Sequence, residues 1–207
     1  MNGENLVLWL VVGSLLPLLA VTATAFAKAS ILLGILRGGL GVPGALPASV
    51  VAGLAAILAA LVMAPVARDA AEAVGPLPGD DPAAWTAAAE RAWPVLEQFL
   101  VAHTPPERQA QVMEAAVAVD PGAELARPAP ADRVAAFLIS ELHAAFQLGI
   151  LLLLPFLIVD LLVASTLTTV GFAMLPPALI ALPFKLLLFV AADGWGLLVR
   201  GFVRSYG

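Results

Sequence analysis

The sequence predicts an all-α membrane protein in which four hydrophobic helical blocks, arranged as kinked hairpins, accompany a small soluble helical insertion. Of the 207 residues, 61% are hydrophobic and 12% are charged, and the mean hydropathy is +0.99. A soluble domain is nearer half apolar and a quarter charged. The apolar runs are long and continuous, and a chain of this kind satisfies its backbone within helices.

The four blocks differ in how well their length and charge content match a membrane-spanning helix. Block one, residues 6–36, is uncharged until Lys28. Because the positively charged start of a secretory signal is missing, we interpret this block as a retained anchor helix, with a cleaved signal as the lesser alternative. Block two, Pro47 to Val66, has 20 uncharged residues, the length that a bilayer core of about 30 Å requires. Blocks three and four, residues 134–167 and 176–199, contain charges and prolines.

Residues 67–133 have a different composition and predict the soluble insertion. They hold 11 of the 15 acidic residues and 5 of the 10 basic ones. Two amphipathic helices are expected, Asp81 to Leu100 with Asp81 as N-cap, and Pro106 to Val119 with a capping box from Thr104 to Glu107. The acidic balance argues against nucleic acid as a partner, and the low Lys/Arg content favours an extracytoplasmic position.

Six ionisable side chains interrupt the apolar blocks, and each costs about 2.5–3.5 kcal/mol at a membrane centre, so partners are expected. They are Lys28, Glu141, His143, Asp160, Lys185 and Asp193. Two interpretations are open. The six side chains form a path for protons or ions, or they form buried pairs that hold helices together. We favour a buried pairing of Lys185 with Asp160 or Asp193, and we expect Glu141 and His143 to be solvated at the mouth of block three.

Prolines and glycines carry the second structural signal. Pro155, Pro176, Pro177 and Pro183 are expected to break blocks three and four, so residues 166–182 cannot form one smooth helix. This irregular region either is buried in protein and lines a cavity or is an ordinary turn between two helices. Glycines permit close helix approach in the link after block one, at positions 34, 38, 39, 41 and 44.

Catalysis and cofactor binding have no motif to support them. The chain has no cysteine, no nucleophile elbow, no zinc-protease helix and no phosphate-binding glycine loop. Glu141 and His143 are two residues apart and therefore point to different helix faces. We expect no enzyme, no metal and no cofactor.

The carboxyl-terminal third resembles the FliP/SctR family, the export-gate proteins of flagellar and injectisome type III secretion. The resemblance is carried by the runs SELHAAFQLG (140–149), LLLLPFLIVDLLVAS (151–165), MLPP (174–177), LPFKLLLFV (182–190) and DGW (193–195). The amino-terminal half is similar more loosely, through LR…LG at 36–41 and VMAPV at 62–66.

The resemblance implies a pore-forming core subunit that conducts unfolded proteins across the bacterial inner membrane. Five copies are expected to assemble into a pseudo-helical oligomer with SctS/FliQ-family and SctT/FliR-family subunits, next to an SctV/FlhA-family export protein and projecting to the periplasmic side. It implies three regions: hydrophobic helices over 1–66, a periplasmic insertion over 67–133 and pore-forming hairpins over 134–207.

The family seals its pore with a methionine-rich loop, often MGMMMLPP, which this sequence matches in part. The resemblance assigns this gasket loop to Gly171, Phe172, Ala173, Met174 and Leu175, where only Met174 keeps a methionine. A thioether and an aromatic ring can still close a narrow ring of loops. The divergent loop favours an injectisome over a flagellum. The competing hypothesis is a small secondary transporter or ion channel with Asp160 as its coupling site.

Overall fold

The computed structural model describes residues 14, 17–41, 46–76, 78–79, 81–119, 128–172 and 174–207, and over these residues all regular secondary structure is helical. The predicted all-α class is therefore confirmed. The helices run in the order α1 (Phe26–Leu40), α2 (Ala48–Val74), α3 (Pro82–Ala102), α4 (Pro106–Val119), α5 (Pro130–Val170), α6 (Pro177–Ala191) and α7 (Gly194–Arg204).

Two of these helices, α2 and α5, are long and apolar enough to cross a membrane. They contain 27 and 41 residues, which corresponds to about 40 Å and 61 Å of helix at 1.5 Å per residue. Helices α6 and α7, with 15 and 11 residues, are each too short and meet the same test only as a pair, which is bent by 60°. Among the described residues the third and fourth hydrophobic blocks thus become α5 and the bent pair α6–α7.

Proline does not break these helices where the sequence suggested. Helix α5 continues through Pro155, and α6 continues through Pro183, so both expected breaks are wrong. A proline removes one intrahelical donor, and the turns on either side keep their own hydrogen bonds. Pro176 and Pro177 do act as expected, because α6 begins at Pro177, with Pro176 as its N-cap.

The chain divides into two compact units, residues 1–27 with 59–142 and residues 28–58 with 143–207. The first unit contains α3 and α4. Asp81 caps α3 as predicted, and its carboxylate accepts a hydrogen bond from the Ala83 amide at 3.0 Å. The predicted capping box on α4 is wrong, because the Thr104 hydroxyl donates to the Leu100 carbonyl that precedes it.

A mixed core holds the first unit together. Phe99 and Phe137 are buried and their ring centroids lie 5.6 Å apart. Beside them, the Arg133 guanidinium bridges Glu97 Oε1 at 3.1 Å and Gln109 Oε1 at 3.2 Å. One arginine therefore connects α3, α4 and α5 within this unit.

Candidate functional site

The second unit presents a helical hairpin in which α5 and α6 are joined by residues 171–176. Helix α5 ends with Gly171 at a φ of +89°, a conformation that glycine adopts without penalty. The Gly171 amide donates to the Thr168 carbonyl at 3.2 Å, and the Phe172 amide donates to the Leu167 carbonyl at 2.9 Å. This pair of bonds is a Schellman motif, which turns the chain sharply out of α5.

The hairpin tip exposes apolar side chains. Met174 is 99% exposed, Phe172 56% and Leu175 44%. Ala173, the fourth apolar residue expected in this loop, lies outside the described residues. Exposed apolar groups of this size in one loop indicate a surface that another molecule covers.

Lys185 of α6 lies at the centre of the packed part of this unit. Its ammonium is 2.6 Å from Asp160 Oδ2 on α5 and donates to the Gly39 carbonyl on α1 at 2.9 Å. The Lys185 side chain is 6% exposed, whereas that of Asp160 is 38% exposed. One cation thus links α1, α5 and α6, with its charge compensated by a carboxylate.

Glycine makes this three-helix contact possible. A Cβ at Gly39 would collide with the Leu153 side chain and would lie 3.2 Å from a ring carbon of Phe156. A Cβ at Gly149 would likewise collide with Ile35 on α1. The two glycines let the α1 and α5 backbones approach closely, which brings the Gly39 carbonyl within reach of Lys185.

Asp193 differs from the expectation that it is a buried charge. Its side chain is 67% exposed and pairs with Arg200 at 3.1 Å. Asp193 sits in the bend between α6 and α7 with a φ of 50°, and its carboxylate accepts a hydrogen bond from the Gly196 amide. Asp193 therefore caps α7, and the real break in the fourth block is here rather than at Pro183.

The other ionisable residues also find specific places. Lys28 is 2% exposed, and its ammonium donates to Ser205 Oγ at 3.1 Å. His143 is exposed, as expected. Glu141 is 2% exposed, so the prediction that it is solvated is wrong. Because α5 begins at Pro130, Glu141 lies about three turns inside the helix rather than at its mouth.

Two contacts of this site were not predicted from the sequence. The first is that the Gly39 carbonyl accepts a hydrogen bond from Lys185. Every residue has a backbone carbonyl, so the sequence does not indicate which one accepts. The Lys28 contact joins residues 177 positions apart, and tertiary pairing at that separation has no local pattern. Both belong to helix ends that only the fold brings together.

Comparison with known proteins gives one consistent family. A model described as the FliP family matches residues 9–202. The chain is 36% identical to "Pathogenicity-related ORF2" of Xanthomonas campestris pv. glycines, over 99% of this chain and 97% of that protein. It is 34% identical to the "Hypersensitivity response secretion protein HrcR" of Ralstonia nicotianae, over 98% and 96%. It is 38% identical to the "Flagellar biosynthetic protein FliP" of Caulobacter vibrioides, over 93% and 72%.

Proposed function

Because this chain belongs to the FliP family and so has its role in the type III secretion apparatus, we propose that it is the pore-forming core subunit of the export gate. In this role it conducts unfolded proteins across the inner membrane. The observation that carries the proposal is the hairpin tip, where Met174 is 99% exposed and lies beyond a stretch, residues 157–170, in which no residue is fully buried. A ring of such tips forms an apolar constriction that a polypeptide can open.

We assign the seal to Gly171, Phe172, Ala173, Met174 and Leu175. Gly171 supplies the sharp exit from α5, so the three large apolar side chains project beyond the helix end. Phe172 takes the volume of a missing methionine, and Met174 supplies an adaptable thioether. A seal of this composition closes on an empty pore and deforms around chains of different sequence.

The proposed assembly contains five copies with SctS/FliQ-family and SctT/FliR-family subunits, next to an SctV/FlhA-family protein. The hairpin offers the surface for it. No residue from 157 to 170 is fully buried within the chain, and Leu161, Leu187 and Val190 are each more than two-thirds exposed. Apolar faces of this extent mark interfaces between subunits or with lipid.

The proposal also includes a position in the membrane, because the hydrophobic helices and the acidic insertion differ in the polarity of their surfaces. We propose that residues 1–66 and 134–207 supply the hydrophobic helices and that residues 67–133 lie on the periplasmic side, toward which the complex projects. That insertion holds 11 of the 15 acidic residues, a composition that suits a position in water. Its exposed side chains and mixed core, with Arg133 bridging Glu97 and Gln109, are typical of a domain in water.

We favour an injectisome over a flagellar system. Two relatives, one named for pathogenicity and one for hypersensitivity response secretion, match this chain over 97% and 96% of their own lengths. The flagellar protein of Caulobacter vibrioides is matched over 72% of its length. The chain thus shares its overall extent with the secretion proteins.

The competing role as an ion-coupled transporter requires a carboxylate that binds and releases a cation. Asp160 lies 2.6 Å from the Lys185 ammonium, which competes for that carboxylate. This contact supports a structural pair. Asparagine at position 160 would abolish uptake in a stable transporter, whereas in a gate it weakens assembly or stability.

Disulfide trapping of a stalled substrate tests the proposal. The chain has no cysteine, so Met174→Cys introduces a single thiol at the tip, and Val119→Cys, at an 88% exposed position in the other unit, is the matched control. A secreted protein that is halted in transit by a folded domain and carries one cysteine is oxidised in place. We expect a crosslink to position 174 and none to position 119.

Two results would overturn the proposal. One is equal trapping at the two positions, or trapping at 119 only. The other is a native mass of the purified complex without five copies of this chain.

A further inference from the structure

A second buried lysine, unrelated to the Asp160–Lys185 pair, holds the end of the chain. Lys28 lies in the first turn of α1 and is 2% exposed. Its ammonium is 3.1 Å from Ser205 Oγ and 3.9 Å from the centre of the Tyr206 ring. These partners follow α7, 177 and 178 positions away in the sequence.

The hydroxyl of Ser205 is arranged to accept from a cation. Its hydrogen is donated to the Phe202 carbonyl at 2.7 Å, which leaves the oxygen lone pairs free to face the ammonium. The Tyr206 ring is held in place by Phe202, which is fully buried and meets it edge-on with centroids 5.4 Å apart. Both acceptors are therefore positioned by the same anchored residue.

The end of a helix adds a third attraction for positive charge. Ser205 is the C-cap of α7, and its amide closes on the Gly201 and Phe202 carbonyls. The last turn of a helix carries a partial negative charge, which favours a cation beside it. A hydroxyl oxygen, an aromatic face and a helix C-terminus all converge on the ammonium of Lys28, and each of them prefers a cation to a neutral group.

Helix α7 is consequently fixed at both ends. At its start, Asp193 caps the helix, and Gly194 packs so closely on the Phe189 ring that a Cβ there would collide with it. At its end, Ser205 and Tyr206 receive Lys28. Between these points α7 is inclined by 60° to α6.

We propose that Lys28, Ser205 and Tyr206 form a C-terminal latch that holds α7 folded against α1. With the latch closed, the pair α6–α7 stays bent at Asp193. With the latch open, the end of α7 loses its charged attachment to α1, and only the cap at Asp193 and the apolar packing of Leu198 and Phe202 hold the helix. The latch goes beyond the proposed export function, because it is a property of the single chain.

Hydrogen exchange read by mass spectrometry on the full-length chain in detergent tests the latch. The variants are Tyr206→Leu, which removes the aromatic face, and Lys28→Met, which removes the charge. We expect the amides of residues 197–205 to exchange about ten-fold faster in either one, the factor that loss of a desolvated cation–π contact implies. Lys28→Arg keeps the charge at this position and should lose less protection than Lys28→Met.

The matched control is Arg204→Gln, which removes an exposed cation from the same turn and should leave exchange in α7 unchanged. If Lys28→Met does not accumulate in cells, exchange in Tyr206→Leu decides the test, because this variant keeps the lysine and changes only the aromatic ring. The double variant should exchange more slowly than the product of the two single effects predicts, because the contact between Lys28 and Tyr206 is lost in each single variant. Unchanged exchange in Tyr206→Leu, or additive effects in the double variant, would refute the latch and leave the export proposal untouched.

Discussion

Replacing Asp160 by asparagine should destabilise the hairpin, because it leaves the ammonium of Lys185 without a counter-charge. Lys185 is 6% exposed and lies 2.6 Å from the carboxylate. Asparagine keeps the shape and one oxygen acceptor but removes the charge. The Gly39 carbonyl at 2.9 Å then becomes the main compensation for a buried cation.

The magnitude follows from the burial of the two partners. Removing one partner of a fully buried ion pair costs about 3–5 kcal/mol. Asp160 is 38% exposed, so water can partly replace it, and we expect the low end, about 3 kcal/mol or two orders of magnitude in the unfolding equilibrium. Lys185→Met should cost about 2 kcal/mol, since it leaves the Gly39 carbonyl without its donor and Asp160 partly hydrated.

The two changes must also be coupled. In the double variant, Asp160→Asn no longer leaves a buried cation without its counter-charge. The free-energy cost of the double variant should therefore approach that of Lys185→Met alone. We expect an interaction free energy of about 2 kcal/mol or more from this double-mutant cycle. Fully additive costs would mean that the two side chains do not stabilise each other in the folded chain.

Denaturant unfolding of the full-length chain in detergent, followed by far-ultraviolet circular dichroism, measures these costs. The control is Arg200→Gln, which breaks an ion pair of similar length whose side chains are 56% and 67% exposed. An exposed pair of this kind contributes at most about 1 kcal/mol. If Asp160→Asn is no more destabilising than Arg200→Gln, the reasoning from burial is refuted.

Three further outcomes are expected from the same unfolding assay. Gly39→Ala should cost about 1–3 kcal/mol because its Cβ collides with α5, whereas Gly38→Ala, which meets nothing within 4 Å, should be neutral or stabilising; equal effects would contradict the close approach. Gly171→Ala should cost about 1–2 kcal/mol at its φ of +89°, and an unchanged free energy of unfolding would argue against the Schellman turn. Arg133→Met should cost about 1–3 kcal/mol by removing the donor to Glu97, and a neutral result would show that the first unit does not depend on this bridge.

The sequence was informative wherever one residue type has one physical role. Asp81 before a proline predicted the start of α3, and the uncharged run from Pro47 predicted α2. The charge argument indicated that Lys185 needs an acidic partner, although it left Asp160 and Asp193 equally open. The distinction came from tertiary position, since only the fold brings α5 beside α6.

Two of the errors concern where a helix breaks, which a proline alone does not decide. Pro155 was expected to break its helix, yet in an apolar setting the surrounding turns keep their hydrogen bonds and α5 continues. The bend instead falls at Asp193, the one described non-glycine residue with a positive φ. Aspartate tolerates this conformation because its side chain bonds the local backbone, and that preference is too weak to be read without the fold.

The two buried lysines act at opposite ends of the same helix. Lys28 fastens the first turn of α1 to the end of α7, and Lys185 fastens the last turn of α1 to α6 through the Gly39 carbonyl. Helix α1 ends at Leu40, next to Phe156, whereas α5 continues for about 21 Å beyond that residue at 1.5 Å per residue. Charge thus braces α1 at two levels, once against the end of α7 and once against the α5–α6 hairpin, and no residue of the hairpin between 157 and 170 is fully buried. In the proposed gate, the braced end of the chain fixes the ring of subunits while each tip remains free to yield to a passing chain.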